Sequence, residues 1–383
     1  MNPTPWRIYH PEGNQRVIVT RELPGDRWLT ILLSAGCRVE IWQRDAPPSA
    51  GEILAAIGSR CDAAIGQLTE EWGDPLLAAL RSAGGSVYGN YAVGFNNVDL
   101  DAATRRGLPV GNTPGVLTEA TAEMAVTLTL AAARRAGEAE RFLRAGRFSG
   151  WRPDLFLGEL LWRKTLGIIG AGRIGSAYAR MMIEGHKMNL IYFSPRPNLE
   201  LETYAAAYGD FLLSRGMERV SCRRADTVEE VLRKADCVSL HTVLNSATRH
   251  LINSERLAMM KPHAVLINTS RGAVIDEAAL VHHCKNHPGF RAGLDVFENE
   301  PVLSEGLADL ENVVLVPHIA SATRWTREGM ALLSALNVVA VLRRYPVWNR
   351  SDVTPFLTDH PPLAAPGIVN AEALGMPLYP MAE

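Results

Sequence analysis

Short runs of β-branched and apolar residues alternate with segments of helical spacing along almost the whole chain, and this alternation restricts the fold more than any other feature. Val17–Thr20, Val39–Trp42, Ala63–Gly66 and Ser86–Tyr88 read as buried strands, with helical spacing in Gly51–Ser59 and Pro75–Ser82 between them. A second series runs through Leu166–Ile169, Asn189–Phe193, Cys237–Leu240, Val265–Asn268, Ala292–Asp295 and Val313–Val316. Strands separated by helices pair as parallel neighbours, in sheets whose two faces the helices cover. Two such series predict an α/β protein of two doubly wound parallel-sheet domains. A chain of 383 residues is long enough to give each its own core.

The join between the series carries more residues than a loop needs. Thr118–Arg135 is rich in Ala and Leu, opens on a threonine suited to capping and ends in paired arginines, the polarity a helix dipole favours. A further helical segment, Gly137–Gly146, and the Trp-containing stretch Phe148–Trp162 delay the next strand, which predicts an extended helical arm. Arg324–Arg344 reads as a long helix that returns the chain to the first domain. The segment from Pro346 onward holds seven of the 23 prolines and is expected to lie over a surface without regular structure. Leu199–Arg224 is longer than a minimal strand-to-helix connection and carries no functional signal.

Charge and cysteine usage exclude several partners. With 39 basic against 41 acidic residues, the net charge of -2 leaves no cationic surplus for a phosphate backbone or an anionic membrane. Neither nucleic acid nor membrane is therefore expected as a partner. Five scattered cysteines without a C-x-x-C pair suggest neither a disulfide framework nor a zinc ribbon, so no metal is expected and a reducing compartment fits. The opening MNPTPWRIYHPEG lacks the pattern of a secretory signal, and the closing Met381-Ala382-Glu383 is not the peroxisomal S-K-L address. A cytoplasmic protein is the expectation.

The strongest local motif is Gly170-Ala171-Gly172-Arg173-Ile174-Gly175, which closes a clear strand and opens a helix. In that setting Gly170 serves the tight turn, Gly172 lets a pyrophosphate approach the backbone, and Gly175 allows close helix–strand packing. The amides of Arg173 and Ile174 would meet the phosphates at the positive end of the helix. A dinucleotide site of this type takes an acid at the end of its second strand to hold the ribose 2′-OH. Here that strand is followed by Ser194-Pro195-Arg196. A hydroxyl and a guanidinium accept a 2′-phosphate that an aspartate would repel, so NADP(H) is expected in preference to NAD(H), with NAD(H) as the alternative.

Three further positions share one sheet edge. Arg271 follows the strand ending at Asn268 and offers a planar fork to a carboxylate or a polarised carbonyl. Asp276 and Glu277 read as first-turn charges of the next helix. Glu300 and His318 follow the next two strands, and a histidine beside a carboxylate is a general acid whose imidazolium the negative partner favours. A nucleotide fold with Arg271, Glu300 and His318 points to hydride transfer to a carbonyl beside a carboxylate.

Through NTSRGAVIDEAAL, GLDVFENEP and VPHIASAT, the chain resembles the D-isomer-specific 2-hydroxyacid dehydrogenases over nearly its whole length. Within that family NYAVGFNNVDLDAATRRGLPVGNTPGVLTEATAE, HKMNLIYF, TREGMALLSALNV and IVNAEALGMP look most like the hydroxypyruvate reductases (glycerate dehydrogenases) of plant peroxisomal type. The resemblance implies a Rossmann cofactor domain, residues 119–320, inserted into a flavodoxin-like substrate domain, residues 1–118 and 321–383. It implies the catalytic set Arg271, Glu300 and His318, with reduction of hydroxypyruvate to D-glycerate and of glyoxylate to glycolate. Val93 and Gly94 would give amides to the substrate carboxylate. Thr121, Thr269, Asp295 and Ser321 would line the nicotinamide end, with Asp295 accepting from the carboxamide. Trp151 resembles a tryptophan that some relatives lend to the neighbouring subunit's pocket, and residues 119–163 would be the arm of a homodimer. The plant enzymes carry an aspartate where Ser194 stands, which agrees with the cofactor argument.

Two alternatives stay open at this stage. The enzyme could prefer glyoxylate or another D-2-hydroxy acid, or the same fold could serve a nucleotide-sensing protein akin to the corepressor relatives of the family.

Overall fold

The structure, a computed structural model, describes residues 5–348 and 350–380, so the closing tripeptide and the first four residues lie outside the described residues. The chain divides into two compact units, Met1–Leu117 with Ala322–Glu383, and Thr118–Ser321.

The first unit contains a six-stranded sheet: β1 (Trp6–Tyr9), β2 (Gln15–Val19), β3 (Cys37–Trp42), β4 (Ala63–Gly66), β5 (Val87–Asn90) and β6 (Val110–Gly111), in the order β1-β3-β2-β4-β5-β6. β2 to β6 are mutually parallel in a flavodoxin-like order, and only β1 runs antiparallel, at the edge beside β3. Sequence patterning misses β1, because its middle residues are exposed, and β6, because it is two residues long. The helix Arg324–Leu342 packs on β5, and its fully buried Asn337 donates to the carbonyl of Asn112 while accepting from the Gly367 amide. That amide helps to tie down the proline-rich segment, as do bridges from Val347 to Ala365 and Leu378, a bridge from Gly111 of β6 to Ile368, and Asn370, which accepts from the Val110 amide and donates to the Leu108 carbonyl.

The second unit is a wholly parallel seven-stranded sheet: β7 (Thr165–Ile169), β8 (Asn189–Phe193), β9 (Cys222–Arg224), β10 (Cys237–Leu240), β11 (Val265–Asn268), β12 (Arg291–Leu294) and β13 (Val313–Leu315). The order β13-β12-β11-β10-β7-β8-β9 reverses direction between β7 and β10, the crevice where dinucleotides bind in such sheets. Helices on both faces leave β7, β10, β11 and β12 buried along almost their whole length, which is why these strands read as continuous apolar runs. Thr118–Ala133 and Arg173–His186 cover one face, and Val228–Lys234 and Glu277–Asn286 help to cover the other. The Leu199–Arg224 stretch is a full helix, Leu199–Ser214, followed by the edge strand β9.

Ala133 ends the first arm helix, and Arg135 turns the chain in the left-handed conformation (φ 55°) with its guanidinium on Glu138 before Ala136–Arg144 restarts it. The paired arginines therefore make a corner rather than a last helical turn. Beyond the corner the arm exposes Leu143, Phe148, Trp151, Leu157, Leu160 and Trp162.

Candidate active site

Two glycines of the loop have the steric reason their spacing predicts. Gly170 sits at φ 99°, and a Cβ there would lie 2.5 Å from the carbonyl oxygen of His241. A Cβ on Gly175 would lie 2.3 Å from the carbonyl oxygen of Gly170, so the helix Arg173–His186 reaches the strand only with glycine at that point. Around Gly172 nothing comes within 4 Å, which leaves this backbone open to a ligand. No side chain caps the helix, so the first-turn amides, those of Arg173 and Ile174 among them, lie at an N-terminus ready for an anion. Asn198 braces the loop by donating to the carbonyl of Ala171 at 2.8 Å and to Ser176 at 2.9 Å. Sequence reasoning missed this brace; its only trace is Asn198 in the capping position before Leu199–Ser214.

Ser194 and Arg196 leave β8 at the position of the usual ribose-binding acid, Ser194 half-buried and Arg196 exposed. Arg224, at the end of β9, donates to the carbonyl of Ser194 at 3.0 and 3.1 Å and to that of Pro195 at 3.1 Å. This second guanidinium pins the turn, and it comes from a stretch in which no function was expected.

Two buried hydroxyls follow neighbouring strands of the same sheet. Thr242 follows β10, Thr269 follows β11, and the Oγ1 atoms of both are buried with no protein partner. A buried hydroxyl left without a partner is costly, and a bound polar ligand satisfies it. Thr121 is also buried, on the helix Thr118–Ala133, and Ser321 is half-buried. These donors and the open glycine loop fit a dinucleotide. Among the described residues no group of three or more His, Cys, Asp or Glu is placed to hold a metal ion.

The ends of β11, β12 and β13 lie side by side, with Asn268 opposite Leu294 and Leu294 opposite Leu315. Each supplies one element of a charged cluster. After β11, Asn268 accepts from the Ser270 amide at 3.0 Å and donates to the Arg271 carbonyl at 2.9 Å, closing the turn that presents Arg271. Burial disfavours the charged guanidinium of Arg271 and lowers its pKa, while nearby Glu300 opposes that effect. After β12, Asp295 is fully buried, and its two oxygens accept from the amides of Ile319 at 2.6 Å and Ala320 at 3.0 Å. Burial raises its pKa, with Glu300 adding to the effect and the two amides and His318 opposing it.

His318 follows β13 in the left-handed conformation (φ 52°), which costs energy for a residue with a Cβ. Its amide donates to the Asp295 carbonyl at 2.8 Å, so Asp295 holds both sides of this strained position. Nδ1 of His318 donates to Oε2 of Glu300 at 2.8 Å, and Oε1 of Glu300 accepts from the Phe297 amide at 3.0 Å. Burial of Glu300 favours its neutral form, but the bond and charge of His318, the Phe297 amide and Arg271 outweigh it, and the pKa falls below the ordinary carboxylate value. Arg271, Glu300 and His318 thus meet in one cluster, with Glu300 hydrogen-bonded to His318 and within reach of the Arg271 charge.

Val93 and Gly94 belong to the other unit. There the Val93 carbonyl accepts from Asn112 at 3.0 Å and the Gly94 carbonyl from Asn90 at 2.8 Å. In the planar trans peptide, the Gly94 N–H points away from the Val93 carbonyl and hence away from Asn112. Trp151 stands 82% exposed on the arm.

Residues 126–320 match the family described as D-isomer specific 2-hydroxyacid dehydrogenase, NAD binding domain. The chain is 56% identical over 380 residues to the peroxisomal glycerate dehydrogenase of Arabidopsis thaliana, an alignment covering 98% of each protein. A crystal structure of a protein from Thermus thermophilus superposes with a TM-score of 0.76 at 36% identity, covering 93% of this chain and 100% of that one. An NADPH-dependent glyoxylate/hydroxypyruvate reductase from Sinorhizobium meliloti, solved with NADP and malonate, gives a TM-score of 0.69 at 30% identity over 86% of this chain and 93% of that one. With this agreement and a nucleotide crevice beside a clustered Arg, Glu and His, the chain belongs to the D-isomer-specific 2-hydroxyacid dehydrogenases and is an oxidoreductase.

Proposed function

We propose that the enzyme reduces hydroxypyruvate to D-glycerate, and glyoxylate to glycolate, with NADPH preferred over NADH. The observation that carries the reading is the His318–Glu300 hydrogen bond at 2.8 Å in the cluster that also holds Arg271, on the sheet edge that bears the glycine loop. The plant relative named glycerate dehydrogenase and the bacterial relative named for both keto acids support the substrate class.

A reduced nicotinamide bound along this edge supplies the hydride. Thr121, Thr269, Asp295 and Ser321 are assigned to its ring end, each oxygen of Asp295 keeping a second lone pair beyond the amide it holds. Arg173 and Ile174 are assigned to the pyrophosphate. Arg271 binds the substrate carboxylate and keto oxygen through its fork. As C2 of the ketone accepts the hydride, charge grows on its oxygen, and Nε2 of His318 delivers a proton there. Glu300 holds Nδ1, which points Nε2 toward the substrate.

Ser194 and Arg196, on a turn pinned by Arg224, are assigned to the 2′-phosphate. The bacterial relative named as NADPH-dependent supports that preference. The exposed apolar residues of the arm support a homodimer, in which Trp151 reaches the partner's pocket. Among the described residues no helix is long and apolar enough to cross a membrane. Five free cysteines support residence in the reducing cytoplasm. A matrix of kcat/KM for hydroxypyruvate, glyoxylate and pyruvate against both reduced cofactors tests the reading. Hydroxypyruvate with NADPH is expected to give the highest value, and a matrix led by pyruvate or by NADH would overturn the corresponding assignment.

A further inference from the structure

We propose that Glu277 is a positioning residue for proton transfer, which holds the loop carrying Glu300 so that Glu300 meets His318. The inference rests on the assignment of Glu300 and His318 to the reduction step.

Glu277 opens the helix Glu277–Asn286, where an acid ordinarily faces solvent and complements the dipole. Here it is only 2% exposed. The capping role is already filled, since Asp276 accepts from the Ala279 amide at 2.9 Å. The Glu277 carboxylate instead spans to another segment. Oε2 accepts from the Glu298 amide at 2.9 Å and Oε1 from the Ser304 amide at 2.8 Å. These two amides bracket Glu300, so one side chain ties down both ends of the loop that carries it. Glu298 answers in kind: its Oε2 lies 3.5 Å from the Glu277 amide, and its Oε1 takes His250 Nε2 at 2.6 Å and Arg249 at 3.1 Å.

A second fastening lies at the other end of the same turn. A Cβ on Gly272 would fall 1.8 Å from the carbonyl carbon of Phe297, so the backbone beside Arg271 rests directly on the backbone that donates to Glu300. Residues 271–277 therefore present the guanidinium and also anchor the loop of its carboxylate partner. Burying a carboxylate is costly unless its oxygens find donors, and both oxygens of Glu277 find theirs in this loop.

The test is Glu277→Gln, which keeps the shape but turns an NH2 toward one of the two amides. Reduction of hydroxypyruvate is measured across pH for wild type, E277Q, E300Q and the double variant, with cofactor affinity read by fluorescence. E277Q is expected to lower kcat about 10- to 100-fold, as a displaced catalytic group does, with KM and cofactor affinity changed less than about threefold. Its pH profile should move in the direction seen for E300Q, and in the E300Q background it should add less than about twofold. A purely structural role would lower thermal stability without moving the profile. If E277Q does not fold, E277D, whose shorter side chain keeps the charge but cannot span both amides, is read in the same way. An unshifted profile, or additive losses in the double variant, would overturn the inference alone. A wild-type enzyme that does not turn over would overturn the functional reading and the inference with it.

Discussion

His318 and Asp295 are joined at two levels: the His318 amide donates to the Asp295 carbonyl at 2.8 Å, and the Asp295 carboxylate receives the next two amides, at 2.6 and 3.0 Å. Three hydrogen bonds accepted by one residue thus help to hold a histidine at φ 52°, a strained angle for a residue with a Cβ. The imidazole is then aimed by Glu300, so the ring's backbone and its Nδ1 have separate anchors. Arrangement of this kind places Nε2 before substrate arrives, and catalysis gains from donors that need not reorganise.

Glu300→Gln tests the electrostatic half of this arrangement. Glu300 has a lowered pKa and is charged throughout the neutral range, so Gln removes an anion that favours the imidazolium over that range. Reduction should therefore fade at lower pH in the variant than in wild type, which a pH series of kcat/KM measures. Linkage has the same sign for folding. A lowered folded-state pKa contributes stability that is present above the unfolded value and is lost as the pH falls through the folded one. The difference in stability between wild type and E300Q should accordingly shrink in acid.

Ser194→Asp tests the cofactor assignment. A carboxylate at the end of β8 would repel a 2′-phosphate and accept from a 2′-OH, so kcat/KM should shift toward NADH by about tenfold or more. A ratio of the two cofactors unchanged in S194D would remove Ser194 from the site.

Thr269→Val asks whether the partnerless hydroxyl is kept for a ligand. Replacing a buried, unsatisfied hydroxyl by a methyl should leave the thermal stability of the free protein unchanged or raised. Affinity for the reduced cofactor should fall by about fivefold, the worth of about 1 kcal/mol from one hydrogen bond. Equilibrium titration with calorimetry of both forms measures the two effects separately.

The arm makes a prediction of a different kind. Leu157 and Leu160 are 67% and 68% exposed in the single chain, and glutamate at both positions should convert a dimer to a monomer in sedimentation. Activity should fall as the dimer dissociates if Trp151 serves the partner's pocket, and Trp151→Ala should then impair substrate binding without dissociating the dimer.

Much of this was legible in the residues because buried parallel strands and glycine turns leave local signatures. Asn189–Phe193, Cys237–Leu240 and Val265–Asn268 run as expected to the residue, since two buried faces demand continuous apolar runs. Gly170 and Gly175 stand where their spacing suggests, because each answers a steric demand of the turn. What escaped were the supports. Asn198, Arg224 and Glu277 act on segments distant in sequence, and no local pattern separates them from an ordinary cap, a surface arginine or a first-turn acid. Leu199–Arg224 read as excess length because a helix with little segregation of polar and apolar faces gives a weak periodic signal, and the three-residue edge strand gives hardly any.

The most direct test of the central claim is turnover of His318→Ala with hydroxypyruvate, followed by the absorbance of the reduced nicotinamide alongside a cofactor-binding titration. The account predicts unchanged cofactor affinity and a kcat lower by about 10²- to 10⁴-fold, the contribution of a general acid. A variant that binds cofactor normally and turns over within about twofold of wild type would contradict it, because the proton would then come from elsewhere.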